Sequence, residues 1–555
     1  MLDHLSYQLR LIDKATADTL RIQCMDEKSP IYGSIEEISL GYNGAHSAIG
    51  AARQLIEGFY TPGCAYDGNI ELIRRAILAM QFALSMQHED GTFDLLQTNF
   101  HDGAETAFTV QTFAPTYFLM KSRMGDTAEE KELDALSMRY INQSATGMIN
   151  SGFHTPNHRW VISAALGMCY RLTGREDCLA HIHKFLNEGM DCDEEGEFTE
   201  RSAGTYNIIC DRALITMARM LDMPELYDHV TRNLNMVLKY FEPDHTVNTL
   251  NSTRQDVGTA PDWSIYYACY LYMALETGNQ EFAYIADAML AQAARPLEYD
   301  DAHAVPRFDY LPWLLMDEKL QSALKTIEPK KPEHNYVKHF VKSGIVRARK
   351  DDFTMTLIKE RPMFCKIQYG THEVYLRLAG CFYAKGQFCA QSLTPTEDGF
   401  EMKSHVRWGY KRPLEEKPET SDWRKMDHSK RADVNMQDFD FILHVKMLDT
   451  GIALDIDYQG VECVPTKLEI MLEPKGRYIT DSMEMRARGG DYIYQKCDTA
   501  TYQYPDYHTF TISGGYHEHY YGQNMRGTLQ GDDKSVCVAL TANTPVKQHV
   551  ELTFA

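Results

Sequence analysis

The chain has 555 residues, 44% hydrophobic and 24% charged, with 56 Lys and Arg against 78 Asp and Glu for a formal net charge of -22. That length exceeds one compact core and predicts two domains, or one large repetitive domain with a smaller companion. The acidic balance excludes nonspecific binding to nucleic acid or to an anionic membrane surface, but not an acidic ligand, because a local Arg, Lys and His pocket can reverse the field.

The chain opens on MLDHLSYQLRLIDKATADTL, which is charged throughout and lacks a basic region followed by an apolar run, so it does not read as a secretory signal. No stretch reaches the ~18 uninterrupted apolar residues of a membrane helix. The 13 cysteines are scattered and never form a C-x-x-C pair, which predicts reduced thiols and a cytoplasmic protein. Cys169, Cys210 and Cys269 lie in apolar helical stretches and are expected in the core.

From residue 3 to 325 apolar residues recur at three- and four-residue spacing, as in AHSAIGAARQLIEGFY, HRWVISAALGMCYRL and DWSIYYACYLYMALET. The connections alternate between short charged ones (TGRED, LDMPEL, ETGNQE) and long polar ones (HEDGTFDLLQTNFHDGAE, DCDEEGEFTERSAG, EPDHTVNTLNSTRQDVGTAPD). About twelve helices joined this way predict helical hairpins in an (α/α) toroid, with the long connections gathered on one face. Beyond LKTIEPKKPEHNY the period changes to two, as in GIALDIDYQG and TKLEIMLEP, which predicts antiparallel strands in a two-layer β-sandwich. The fold class is thus α then β, with a toroidal catalytic domain over 1–328, a linker over 329–337 and an antiparallel sandwich over 338–555.

Four long connections end in dense polar clusters just before a helix: His101, Asp102 and Glu105; Asn157, His158, Arg159 and Trp160; Glu200, Arg201, Tyr206 and Asn207; and Asn251, Arg254 and Asp256. Each residue alone also suits a helix cap or a first-turn charge. Four clusters on one rim read as a site. An Asn amide and an Arg can hydrogen-bond a substrate carboxylate and so lower the barrier to removing the proton on the adjacent carbon. A His or Tyr can then take that proton, and a Tyr hydroxyl can protonate the departing glycosidic oxygen. Together these steps are the β-elimination of a uronic-acid glycoside, whereas hydrolysis needs two carboxylates flanking the bond.

Asn157 and His158 at a helix start, followed about fifty residues later by EGEFTERSAGTY, resemble the motifs of heparinase II/III-type and oligoalginate-type polysaccharide lyases, with Glu195 where the pattern has Asp. Those families join an (α/α) toroid to a C-terminal β-sandwich. The resemblance implies that Asn157 neutralises the carboxylate, that His158 assists as base or carboxylate ligand, and that Tyr206 is the catalytic acid and a candidate base. It also implies a further sandwich histidine, for which His372 in YGTHEVYLRL is the nearest candidate and His405, beside Arg407 and Tyr410, the alternative.

A glycosidase acting on glucuronides is the second reading. Asp102, Glu105, Glu200, Asp256 or Asp262 would then supply the acid and base, with Arg201, Arg254 and His158 recognising the uronate. A noncatalytic carbohydrate-binding module is the third, with Trp160, Trp263, Tyr266 and Trp408 as stacking platforms. The expected partner is an acidic oligosaccharide, with no nucleic acid, membrane, cofactor or metal; the oligomeric state stays open, a homo-oligomer included.

Overall fold

The computed structural model describes residues 1–37, 40–293 and 308–555. The chain divides into two compact units: Met1–Phe241 with Thr246–Pro332, and Glu242–His245 with Glu333–Ala555. The first unit is helical, with thirteen α-helices among the described residues: α1 (His4–Ile22), α2 (Ala45–Tyr60), α3 (Ile70–Ser85), α4 (Gly103–Arg123), α5 (Ala128–Asn150), α6 (Pro156–Thr173), α7 (Glu176–Asn187), α8 (Tyr206–Leu221), α9 (Leu226–Val237), α10 (Tyr267–Thr277), α11 (Gln280–Ala293), α12 (Leu311–Met316) and α13 (Glu318–Thr326).

Helices α2 to α11 pair in sequence as hairpins, and the first members pack in succession, α2 on α4, α4 on α6, α6 on α8 and α8 on α10. This is the expected toroid, and its layering follows from composition. In α6 the run Trp160–Cys169 is buried on every side, as is Tyr267–Leu275 in α10, so neither helix has a solvent face. In α7 only Cys178, Ile182 and Phe185 are buried, an apolar stripe at four- and three-residue spacing that packs on α6 from outside. Tight turns join α6 to α7 and α10 to α11, with Gly174 at φ 71° closing α6 and Gly278 at φ 75° closing α10. The returns from α3 to α4, α7 to α8 and α9 to α10 are long polar connections, whereas that from α5 to α6 spans only 151–155.

The second unit is a β-sandwich. One sheet of nine strands runs in the order Ser392–Pro395, Phe400–Lys411, Asp433–Met447, Gly451–Gly460, Val546–Phe554, Thr509–Gly514, Thr499–Gln503, Arg477–Ile479 and Glu484–Arg486. The other has eight: Tyr492–Tyr494, Val536–Asn543, Pro465–Leu472, His372–Gly380, Met363–Tyr369, Phe353–Ile358, Ile345–Lys350 and Tyr336–Phe340. All neighbours are antiparallel except Tyr492–Tyr494 beside Val536–Asn543. Alternate residues of both sheets meet in one core, Leu376, Leu468 and Val538 from one and Phe441, Leu454 and Leu552 from the other. The outer face of the eight-stranded sheet carries buried charge: the Glu242 carboxylate accepts from Arg347 Nη2 at 2.8 Å and from Lys366 Nζ at 3.4 Å. Among the described residues no helix is long and apolar enough to cross a membrane.

Candidate active site in the helical unit

The first turns of α6 and α8 and the connection from α9 to α10 meet at Glu200, whose side chain is nearly buried. Its Oε2 accepts from Asn157 Nδ2 at 2.7 Å and from the Asn157 backbone N–H at 3.2 Å, while Oε1 pairs with Arg254 Nη1. Arg254 also lies over the Tyr206 ring, 4.4 Å from its centroid, and donates from Nη2 to the Tyr206 hydroxyl at 3.4 Å. Gln255 Nε2 donates to the same oxygen. Asn157, Glu200, Arg254 and Tyr206 thus form one continuous polar chain, and two N–H donors converge on the phenol oxygen, where they meet any negative charge that develops on it.

Local sequence sets this arrangement. Pro156 occupies the first turn of α6, where no backbone donor is needed, and delivers Asn157 and His158 onto the helix start. Before α8, Asp193 Oδ1 accepts from the backbone N–H groups of Glu195 and Glu197, each at 2.9 Å, and folds the connection back on itself. Gly196 turns that loop at φ 93°, and a Cβ there would stand 2.3 Å from the Arg232 carbonyl oxygen, so only glycine fits. Asp256 Oδ2 accepts from Ser202 Oγ at 2.9 Å and from Gly204 N–H at 3.0 Å, and the Glu200 carbonyl accepts from Thr253 Oγ1 at 2.8 Å. These bonds stitch the two connections together beneath Tyr206.

Two predicted roles change in the structure. Both amide protons of Asn157 are committed, one to Glu200 and the other to Thr155 Oγ1 at 3.0 Å, leaving its buried Oδ1 without a partner. Asn157 therefore positions Glu200 and has no amide proton left for a substrate carboxylate. Trp160 is fully buried and donates from Nε1 to Asp191 at 2.7 Å, so it is packing and not a wall of the cleft. Arg159 follows it outward, pairing with Glu188 at 3.2 Å.

His158 is half-buried, and burial holds its imidazole below the ordinary histidine value; the Asp102 carboxylate works against that shift and His154 and Arg254 with it. Asp102 caps α4, accepting from Ala104 N–H at 2.7 Å and from Asn99 Nδ2 at 2.7 Å. Glu105 accepts from His46 Nδ1 at 2.8 Å, which raises the His46 value. His101 belongs to a separate surface group, with Nδ1 2.6 Å from Asp90 and its ring stacked on His88. Arg201 sits half-buried at φ 49° between Glu200 and Ser202. Asp262 caps a short turn, Trp263 and Tyr266 are buried, and only Trp408 of the four suggested platforms is exposed.

A second buried carboxylate lies deeper. Glu197 Oε1 accepts from Asn207 Nδ2 at 3.2 Å, and Oε2 accepts from Asn251 Nδ2 at 3.1 Å and from Tyr240 at 3.2 Å. Burial pushes this carboxyl up to about 7, with those three donors opposing the shift. Between the ordinary 4.5 and about 7 the folded chain keeps a proton that the unfolded chain has lost, so stability declines as pH rises across that window, by about 3 kcal/mol in all. Glu197→Gln removes the effect, because Asn207 and Asn251, whose Oδ1 atoms lack partners, can turn to accept from the new amide. Melting temperatures at pH 5 and pH 8 test this: the variant gains on the wild type at pH 8, and an equal pH response in both contradicts it.

Sequence reasoning missed Gln255, Glu197 and Thr155. Gln255 adjoins Arg254 and Glu197 lies inside the quoted motif, yet their roles depend on where two loops cross, which no spacing reveals.

Both sandwich histidines are tied to carboxylates. His405 Nδ1 is 2.7 Å from Asp440, and His372 Nε2 is 2.9 Å from Asp506 with its ring stacked on Tyr504. Ligand atoms of His372, Asp506 and His508 lie within 4.8 Å of one another, a set able to hold a divalent cation although the sequence suggested no such cluster.

No family model and no curated relative matches the chain. Solved structures do. A heparan sulfate lyase HepC mutant from Pedobacter heparinus superposes with a TM-score of 0.54 at 10% identity, covering 98% of this chain and 83% of that one. Chondroitin AC lyase from Streptomyces coelicolor A3, in complex with chondroitin sulphate, gives 0.54 at 10% identity over 100% of this chain and 80% of that one. A Paenibacillus xanthan lyase gives 0.56 at 9% identity, with 99% of this chain against 57% of that one. The chain therefore has the fold of these polysaccharide lyases.

Proposed function

We propose that this protein is a lyase that cleaves uronic-acid-containing oligosaccharides or polysaccharides by β-elimination at the Asn157–Glu200–Arg254–Tyr206 chain. The observation that carries the reading is the Tyr206 hydroxyl, which receives N–H donors from Arg254 and Gln255 at the start of α8. Those donors stabilise a phenolate, which takes the proton from C5 of the uronic acid. The C5 electron pair forms the C4–C5 double bond, the C4–O bond breaks, and the same Tyr206 hydroxyl returns its proton to the departing oxygen.

One residue serving both ends requires that hydrogen and leaving oxygen lie on the same face of the sugar ring. His158, kept neutral by burial, donates to the uronate carboxylate through one ring nitrogen, and Arg254 supplies the positive charge. The hydrolase reading is weaker because Asp102, Glu105, Glu200 and Asp256 each have protein donors on their carboxylates. A cytoplasmic location would fit exo-action on short chains.

Mass spectrometry of the products tests the reaction class. Elimination adds no water, so the two product masses sum to the mass of the substrate. A sum greater by one water identifies hydrolysis and overturns the proposal.

A further inference from the structure

At one edge of the nine-stranded sheet the register sets Arg477 opposite Arg486 on one side and opposite Gln503 on the other. Opposed residues share a face, so this row spans about 10 Å across three strands. Like charges directly opposite destabilise a sheet. Glu484 neutralises one of them, accepting from Arg477 Nη1 at 2.8 Å. Arg486 and Lys475 have no carboxylate within ion-pair distance among the described residues.

These groups line a cavity of about 340 Å³ together with Tyr504 and Tyr507. Tyr504 turns into the sandwich core, where its ring stacks on His372, so the exposed groups of the cavity are the basic side chains, Gln503 and Tyr507. Tyr507 is 81% exposed and held at φ 73°, a strained backbone that presents a large ring to water. Packing explains neither the opposed arginines nor the displayed ring. A ligand with spaced negative charges and a flat apolar face accounts for both.

We propose that this sheet edge is a second binding site, for an acidic saccharide chain. Lys475, Arg477 and Arg486 take its carboxylate or sulfate groups, Gln503 hydrogen-bonds its hydroxyls, and Tyr507 lies against a sugar face. The choice of a saccharide rests on the lyase reading above; the choice of an oligoanion rests on the charges alone.

The test is calorimetry on the full-length Tyr206→Phe protein with a uronic-acid hexasaccharide, with and without the exposed substitutions Lys475→Ser and Arg486→Ser. The site predicts a second, salt-sensitive binding event in the parent besides that at the Tyr206 cleft; the second event weakens at least tenfold in the substituted protein while cleft binding persists, with the melting temperature unchanged. Tyr507→Ser alone weakens the second event by a smaller factor. In the otherwise wild-type enzyme the same pair of substitutions raises KM for long chains several-fold and leaves KM for the shortest cleaved substrate alone.

A single binding event in the parent, or the same two events in the substituted protein, overturns the proposal. Displacement by an equal concentration of inorganic sulfate overturns the assignment to a saccharide chain. Because calorimetry needs no turnover, a protein that binds at this edge yet eliminates nothing would sink the lyase reading and leave the site standing.

Discussion

Tyr206→Phe lowers turnover of a uronic-acid oligosaccharide by roughly 10²–10⁴-fold, the contribution expected of a group that moves a proton at the reacting centre. The substitution removes one oxygen and keeps the ring under Arg254, so the cation–π contact survives. Arg254 stays paired with Glu200, and Gln255 turns to solvent. Stability therefore changes by less than about 1 kcal/mol. Substrate binding is expected to persist, because the proposed arrangement assigns the uronate to His158 and Arg254 and not to the phenol. Wild-type turnover in this variant would remove Tyr206 from the mechanism.

Glu200→Ala has the larger structural effect. The carboxylate accepts from Asn157 twice and from Arg254, and its loss leaves the Asn157 amide and the Arg254 guanidinium without their shared acceptor. Breaking such a nearly buried pair costs about 3 kcal/mol. Arg254 then loses the anchor that holds it over Tyr206, and turnover falls by roughly 10²-fold or more, with kcat affected more than KM. Glu200→Gln keeps the shape and one acceptor, so it restores much of the stability but little of the rate. A general acid at Glu200 predicts a different signature: Gln and Ala would be equally inactive, and Asp102→Asn or Glu105→Gln would be inactive as well. Melting temperature and steady-state kinetics on the four variants separate the two accounts.

The division into helices and strands was legible because it rests on period. Apolar spacing of three and four residues gives way to alternation from about residue 338; in the structure α13 ends at Thr326 and the first sandwich strand begins at Tyr336, just inside the expected linker. Inner and outer helices were also written locally, in the all-round apolar surface of α10 against the narrow stripe of α7. Tyr206, Asn157 and Arg254 could be singled out because each stands at or before a helix start in a polar connection. What those connections do to one another was not legible. Asn157 has its donors taken by Glu200 forty-three residues away, and Asp256 ties Ser202 and Gly204 to a loop fifty residues on. Such pairings depend on how neighbouring hairpins stack. Trp160 shows the opposite error: next to a polar cluster in sequence, it turns inward because a helix places successive residues about 100° apart.

Whether Tyr206 and its donors carry out an elimination is decided by following ultraviolet absorbance and reducing ends in parallel as the purified protein acts on a panel of uronic-acid oligosaccharides, with Tyr206→Phe as control. Elimination leaves a double bond conjugated to the carboxylate, so absorbance and reducing ends rise together in the wild type and neither rises in the variant. New reducing ends without absorbance would contradict the account and move the chemistry to a pair of carboxylates.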